Sequence, residues 1–256
     1  MRGLSPLTLA SARMIYRSPA SLRVAFLTPL MFAVLVALFH QLRFQVGGQS
    51  IDFFSYIAVG VAFWYVAYTA EHGMTGAAAG YRAHGVLKRL AVTPISSMTF
   101  IAAQVLARVG LAVAQSIAVL GVAKLLGAHI HLGANFAWTL VPVTMIVLAA
   151  LSIGFIWAGI ASTPGAANTL DLLSVIPWLW LSGAMWPREA YSQLVQQITD
   201  YAIPFVPMLE MLQGIALHGA SVSHYGRQVG VGGAWIAALF VIAARGWIAG
   251  HTLSLY

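Results

Sequence analysis

Tyr81 to Ser96 reads YRAHGVLKRLAVTPIS, a basic, proline-ended segment set between two long apolar runs. It places Arg82, Lys88 and Arg89 within eight residues of a chain that is 60% hydrophobic and only 7% charged. Soluble domains carry about 25% charged residues, and the mean hydropathy here is +0.85. The chain is therefore read as an integral membrane protein, and this segment as one of its water-facing loops.

Working outward, a spanning helix needs about 20 mostly apolar residues at about 1.5 Å each. The 256 residues accommodate six such helices in one bundle, with no separate soluble domain. The expected fold is an all-α membrane protein, one domain over 1–256. An interfacial helix at 3–20 mixes Leu4, Leu7, Leu9 and Met14 with Arg13 and Arg17. Spans follow at about 23–41, 53–76, 98–126, 137–161, 169–187 and 229–250. A polar turn, RFQVGGQSID, separates the first two, and the loop GAHIHLGAN the third and fourth. Between the fifth and sixth spans, two helix-length pieces are split by Pro204 and Pro207. They suit an extracellular re-entrant or interfacial helical hairpin, because irregular backbone at membrane depth needs protein or water around it. The amino terminus lacks the apolar core and cleavage site of a signal peptide, so the chain is expected to keep its first helix.

Charge sets the orientation. With both termini and segment 81–96 on one side, that side holds Arg2, Arg13, Arg17, Arg23, Arg82, Lys88, Arg89 and Arg245. The other side holds Arg43, Lys124, Arg188 and Arg227, and Arg108 lies within a span. The excess predicts cytoplasmic termini and a cytoplasmic basic segment in the inner or plasma membrane. The net charge of +7 is accounted for by this topology, so no nucleic-acid partner is expected. Without cysteine there is no disulfide framework and no thiolate metal site.

Within the basic segment, Val86, Leu87 and Leu90 make one apolar patch while Arg82, Lys88 and Arg89 stay solvated. Pro94 stops the helix. Such an element suits a groove on a soluble partner; the plainer alternative is a positive anchor beside the headgroups. The run RAHGVLKRLAVTPIS resembles the loop of ABC-2 type transporter permeases, where a pattern close to Arg-Glu-x-Gly-Thr-Leu-Lys-Arg-Leu-x-x-Thr-Pro precedes the third span. Arg82, Gly85, Leu87, Lys88, Arg89, Leu90, Thr93 and Pro94 match it. Ala83 replaces the acid and Val86 the threonine. Leu22-Arg23 before Pro29-Leu30 is similar to that family's first span, and LSGAMWP at 181–187, followed by Pro204 and Pro207, to its late signature. In size the chain is closest to the daunorubicin-resistance type, the drug and lipid exporter permeases.

The resemblance implies a permease subunit that pairs with itself or a paralogue and binds two ABC ATPase subunits in trans. The matched residues then form the coupling element. ATP and Mg would belong to the partner, and this chain is expected to bind no cofactor and catalyse nothing itself. It has no Gly-Lys pair and hence no phosphate loop. The implied cargo is a drug, secondary metabolite or lipid. The rival readings are an ion-coupled secondary transporter, which needs ionisable residues at the membrane midplane, and a non-transporting scaffold.

Glu71 and Arg108 are the candidate intramembrane ion pair, since both spans approach the basic segment and lone charges there are costly. Asp171 is read as a first-turn carboxylate of the fifth span. Phe63, Trp64, Tyr68, Trp178, Trp180 and Met185 are candidates for the substrate pathway, with interface belts and ordinary packing as the alternative. Gly73, Gly76 and Gly80 suit close helix approach. His129-x-His131 lacks cysteine or carboxylate neighbours and is read as polar loop rather than metal site. Trp180 stands where a Gly-x-Ser-Gly protease motif around Ser182-Gly183 would need glycine.

Overall fold

The computed structural model describes residues 4–17, 19–39, 41–46, 48–85 and 97–252. It is helical apart from one two-stranded hairpin. Helix α1 (Leu4–Tyr16) precedes a helical run made of α2 (Pro19–Leu22), a π-helical turn (Arg23–Leu27) and α3 (Thr28–Ala37). Then come β1 (Arg43–Val46), β2 (Gln49–Asp52), α4 (Phe53–Ala83) and α5 (Ser97–Leu125). A 3-10 turn (Ala134–Thr139) leads into α6 (Leu140–Ile160), followed by α7 (Pro164–Leu181), α8 (Gln193–Ala202), α9 (Val206–His218) and α10 (Gly226–Thr252).

Among the described residues, four helices are long and apolar enough to cross a membrane: Phe53–Ala83, Ala102–Leu125, Ala134–Ile160 and Val222–Arg245. Two of the six expected spans look different. The first contains a shorter apolar helix, Ala25–Ala37. Its π turn lies just before Pro29, which lacks an N–H and would clash with a regular α-helical carbonyl. The fifth is Pro164–Leu181, whose 18 residues include Asn168, Asp171 and Ser174 and are less uniformly apolar. The expected second span is longer than 53–76: α4 continues for 31 residues to Ala83. At about 1.5 Å per residue it extends beyond a hydrocarbon core of about 30 Å, carrying Tyr81 and Arg82 with it.

Helix α4 is the centre of the bundle. It packs most extensively on α6, then on α5 and α7, and also touches α3 and α9. Two glycines permit the close approaches. A Cβ on Gly154 of α6 would lie 2.6 Å from the Glu71 carbonyl oxygen and 3.1 Å from Met74 Cβ. One on Gly60 of α4 would meet the Ala184 carbonyl. The glycines expected to do this do not: Gly73 and Gly80 have open space around the Cβ position, and Gly76 only reaches Asn168 at 4.0 Å.

The polar turn after α3 is a hairpin, pairing Arg43 with Asp52 and Val46 with Gln49, with Gly48 at φ 77°. Phe44 anchors it, its ring 5.1 Å from Phe53, 5.4 Å from Tyr56 and 5.0 Å from Trp186. Asp52 then caps α4 by accepting from Ser55 N at 2.7 Å. His129, read from sequence as loop polarity, lies 3.0 Å from the second Asp52 oxygen. At the same end, Arg188 joins Asp200 of α8 to Glu210 of α9.

Two outcomes are expected. Gly154→Ala should lower stability by about 1–3 kcal/mol, because the added methyl must separate α6 from α4. Gly110→Ala, with open space at its Cβ, should not; thermal unfolding in detergent compares them. Burial pushes the Asp52 carboxyl up, but its bonds from Ser55 and His129 outweigh this and hold it below the ordinary 3.8. A carboxyl depressed in the folded state stabilises above its unfolded value and loses that contribution as pH falls through its folded value. Stability should therefore decline below about pH 4. Asp52→Asn should flatten that limb and cost about 1 kcal/mol at neutral pH, read from melting curves between acid and neutral buffer.

Candidate functional site

One end of the bundle gathers the end of α4, α1, the starts of α5 and α7, and the end of α6. Gln104 Nε2 of α5 donates to Ser11 Oγ of α1 at 3.2 Å, and Tyr81 packs edge-on against Phe100 with centroids 5.7 Å apart. Of the eight motif residues, Arg82 and Gly85 lie at this end. Leu87, Lys88, Arg89, Leu90, Thr93 and Pro94 lie outside the described residues. Gly85 sits at φ 63° with nothing near its Cβ position, and His84 N and Gly85 N bond back to the carbonyls of Gly80 and Arg82. A glycine in left-handed conformation one step past the last turn is a helix stop. Its place in the motif is thus explained by backbone geometry.

Arg82 is turned toward its own bundle. Its Nη1 donates to the carbonyl of Ala158, to that of Gly159 at 3.0 Å, and to that of Ala161 at 3.5 Å. The last carbonyls of a helix lack intrahelical partners and carry partial negative charge. Arg82 therefore caps α6. Two residues later Thr163 caps α7, its Oγ1 accepting from Ala166 N at 3.1 Å.

Deeper in the bundle the structure does not bring Glu71 and Arg108 together. Glu71, 1% exposed, accepts through Oε1 from Trp157 Nε1 at 3.1 Å and lies 2.7 Å from Ser174 Oγ. Arg108 donates to Gln104 Oε1 at 2.5 Å and to the Gly73 carbonyl at 3.1 Å. Arg108 reaches the stretch of α4 that carries Glu71, at the Gly73 carbonyl, but from another side. Depth alone predicted a pair; the helix faces decide otherwise.

Asp171 is corrected as well. Because α7 starts at Pro164, behind the Thr163 cap, Asp171 lies in the third turn rather than the first. It is fully buried and faces α4, with His72 Nδ1 2.6 Å from Oδ2 and Thr75 Oγ1 3.3 Å from Oδ1. Ser174 also lies 2.7 Å from the Asp171 carbonyl. Glu71, His72, Thr75, Trp157, Asp171 and Ser174 thus form one polar seam joining α4, α6 and α7. Sequence reading missed His72, Thr75, Trp157 and Ser174. The available signal was a Glu-His pair inside an apolar run, opposite an aspartate in another.

The six aromatic and methionine candidates divide. Phe63 is core, 1% exposed and packed on Phe205 with centroids 5.7 Å apart. Trp178 also packs on Phe205, at 5.8 Å. Trp64 and Tyr68 are half-buried on one strip of α4, which continues as Tyr68 stacked on His72 at 5.3 Å. Met185 is partly buried against the core, and Trp180 is exposed. Beyond them Gly183, at φ 91°, turns the chain so that its carbonyl accepts from Tyr56 Oη. Among the described residues no group of three or more His, Asp and Glu is arranged to hold a metal ion.

Because Glu71 and Arg108 have separate partners, the double reversal Glu71→Arg with Arg108→Glu should not rescue either single reversal. Folded yield from detergent extracts and melting temperature measure this; restoration of either would place the two charges in contact.

A comparison with curated proteins returns no match. The family profile of the ABC-2 type transporter matches residues 5–217. That range holds the basic segment, the polar seam and the Gly183 turn. Members of this family are transmembrane subunits without an ATPase site of their own and work with ABC ATPase subunits. On this match the chain belongs to the ABC-2 type transporter family.

Proposed function

We propose that the chain is the pore-forming permease of an ABC exporter, working as a dimer with itself or a paralogue and driven by two ATPase subunits. The reading has six spans, cytoplasmic termini, and an outer hairpin formed by α8 and α9. The observation that carries it is that the basic segment with Lys88 and Arg89 follows directly on the end of α4, the helix on which the bundle is built. A partner docked there acts directly on the most connected element. ATP binding by the partner then shifts the populations of two bundle conformations, which requires that it bind them unequally.

The cargo is a hydrophobic or amphiphilic compound. Supporting this, the strip Trp64 to Tyr68 is aromatic and half-buried, and the indole N–H groups of Trp64 and Trp178 are buried without a partner. Unsatisfied donors in an apolar setting are costly and suit a ligand that brings an acceptor oxygen. Cargo class, direction of movement and subunit count rest on the family and on these side chains.

One observation favours the ion-coupled alternative: the seam holds Glu71, His72 and Asp171 at membrane depth. A single set of reconstitutions separates the readings. Lys88→Glu with Arg89→Glu should reduce capture of the ATPase subunits by at least about tenfold while the permease still inserts and melts normally. Proteoliposomes of the permease alone should move no drug or lipid probe on a proton gradient. Normal capture by the double variant sinks the docking role, and gradient-driven movement sinks the ATP-driven one.

A further inference from the structure

We infer that Arg82 is a positioning residue that makes the inner end of α7 follow the inner end of α4, rather than a contact for the ATPase. The inference rests on the docking role proposed for the segment that follows it. Arg82 belongs by sequence to the basic motif, yet its Nη1 donates to the carbonyls of Ala158, Gly159 and Ala161. Those carbonyls end α6, and Ala161 is two residues from Thr163, whose hydroxyl starts α7. The turn between the helices is short, so displacement of the α6 end displaces the α7 start.

A second tie closes the linkage. His72, ten residues before Arg82 on α4, meets Asp171, eight residues beyond the Thr163 cap on α7. Helix α7 is thereby attached to α4 at two levels separated by about 15 Å of helix. With a single tie α7 could pivot about the Asp171 contact. With both, tilting of α4 is delivered to the whole inner half of α7. The end of α4 is a rigid element for this purpose, because it stays helical to Ala83 and Tyr81 packs it against Phe100.

A guanidinium suits the task better than an ammonium. All three bonds come from Nη1, which the planar guanidinium holds in a fixed direction, whereas a lysine offers one point charge on a flexible stem. Arg82→Lys should therefore keep part of the linkage, and Arg82→Gln should lose it.

The chain has no cysteine, so spin labels can be placed at Ala83→Cys and Ser162→Cys, both exposed, without altering a native thiol. The labelled permease is studied in complex with its ATPase subunits, nucleotide-free and trapped with ADP and vanadate. With Arg82 present, the label separation should be the same in both states. With Arg82→Gln, capture of the ATPase subunits should stay within about twofold of the parent, while the separation changes on trapping and its distribution broadens. Arg82→Lys should fall between them. An unchanged distribution in Arg82→Gln overturns the inference, and so does loss of ATPase capture, which would make Arg82 a partner contact. Failure of the docking role itself is read separately, from normal capture by the Lys88→Glu, Arg89→Glu variant.

Discussion

The contact between Gly154 and the peptide of Glu71 sets the register of the bundle. Only a residue without a Cβ lets α6 approach α4 so closely, and close approach is how helices gain packing energy where lipid is as apolar as a side chain. One turn further along α6, Trp157 projects from the same side and its indole N–H reaches the Glu71 carboxylate. Ser174 completes that contact from α7. A different crossing point would take the indole donor from a buried carboxyl group and leave it Ser174 alone. Packing and polar satisfaction therefore depend on the same pair of residues.

Buried polar groups need partners wherever water is excluded, and this bundle meets the demand mostly with neutral groups. Arg108 is held by an amide oxygen and a backbone carbonyl, and Glu71 by an indole and a hydroxyl. His72 with Asp171 is the exception. Such seams fix which helix faces meet, since a rotation of α7 that exchanged Asp171 for its neighbour Leu172 would bury a charge against hydrocarbon. In water a surface pair of this kind contributes little. Here Asp171 is fully buried while 45% of the His72 side chain is exposed, so loss of the pair leaves Asp171 as the costly group.

Composition was enough to make the chain a membrane protein, and the apolar runs marked where the long helices lie, although α4 runs on to Ala83 past its expected end at 76 and α7 is Pro164–Leu181 where 169–187 is expected. Segment 81–96 was legible as a motif. Its internal division was not: Gly85 stops a helix and Arg82 caps one, and each depends on what the fold brings nearby. The Gly183 turn had the same character, a recognisable signature whose glycine is explained only by a positive φ and the Tyr56 bond. The hairpin at 43–52 was passed over because four-residue strands give too short an alternation, although Gly47-Gly48 was a fair turn signal. The polar seam was hidden for a different reason. Its members come from α4, α6 and α7, and sequence gives depth along a helix more readily than the direction a side chain faces. Glu71 and Arg108 were matched by depth and separated by direction.

The two ends of the bundle are joined by different chemistry, which bears on how one can move without the other. At the end opposite Arg82, Arg188 binds Asp200, Thr199 and the Gln196 carbonyl on α8 and Glu210 on α9, while Gln228 of α10 reaches Glu210 at 3.4 Å. Only 14% of the Arg188 side chain is exposed. Its polar partners turn the hydrophilic face of α8 inward, leaving Leu194, Ile198 and Tyr201 exposed on the other. That tie joins α8, α9 and α10 without a bond to α4. Arg82 instead ties α4 itself to the α6–α7 turn through backbone carbonyls, which any helix end presents and which stay in place when side chains change rotamer. A side-chain clamp between carboxylates can open by exchanging partners with water at a surface. A cap on backbone carbonyls moves with the helix it closes. The chemistry at Arg82 suits a joint that carries motion, and the chemistry at Arg188 suits one that releases.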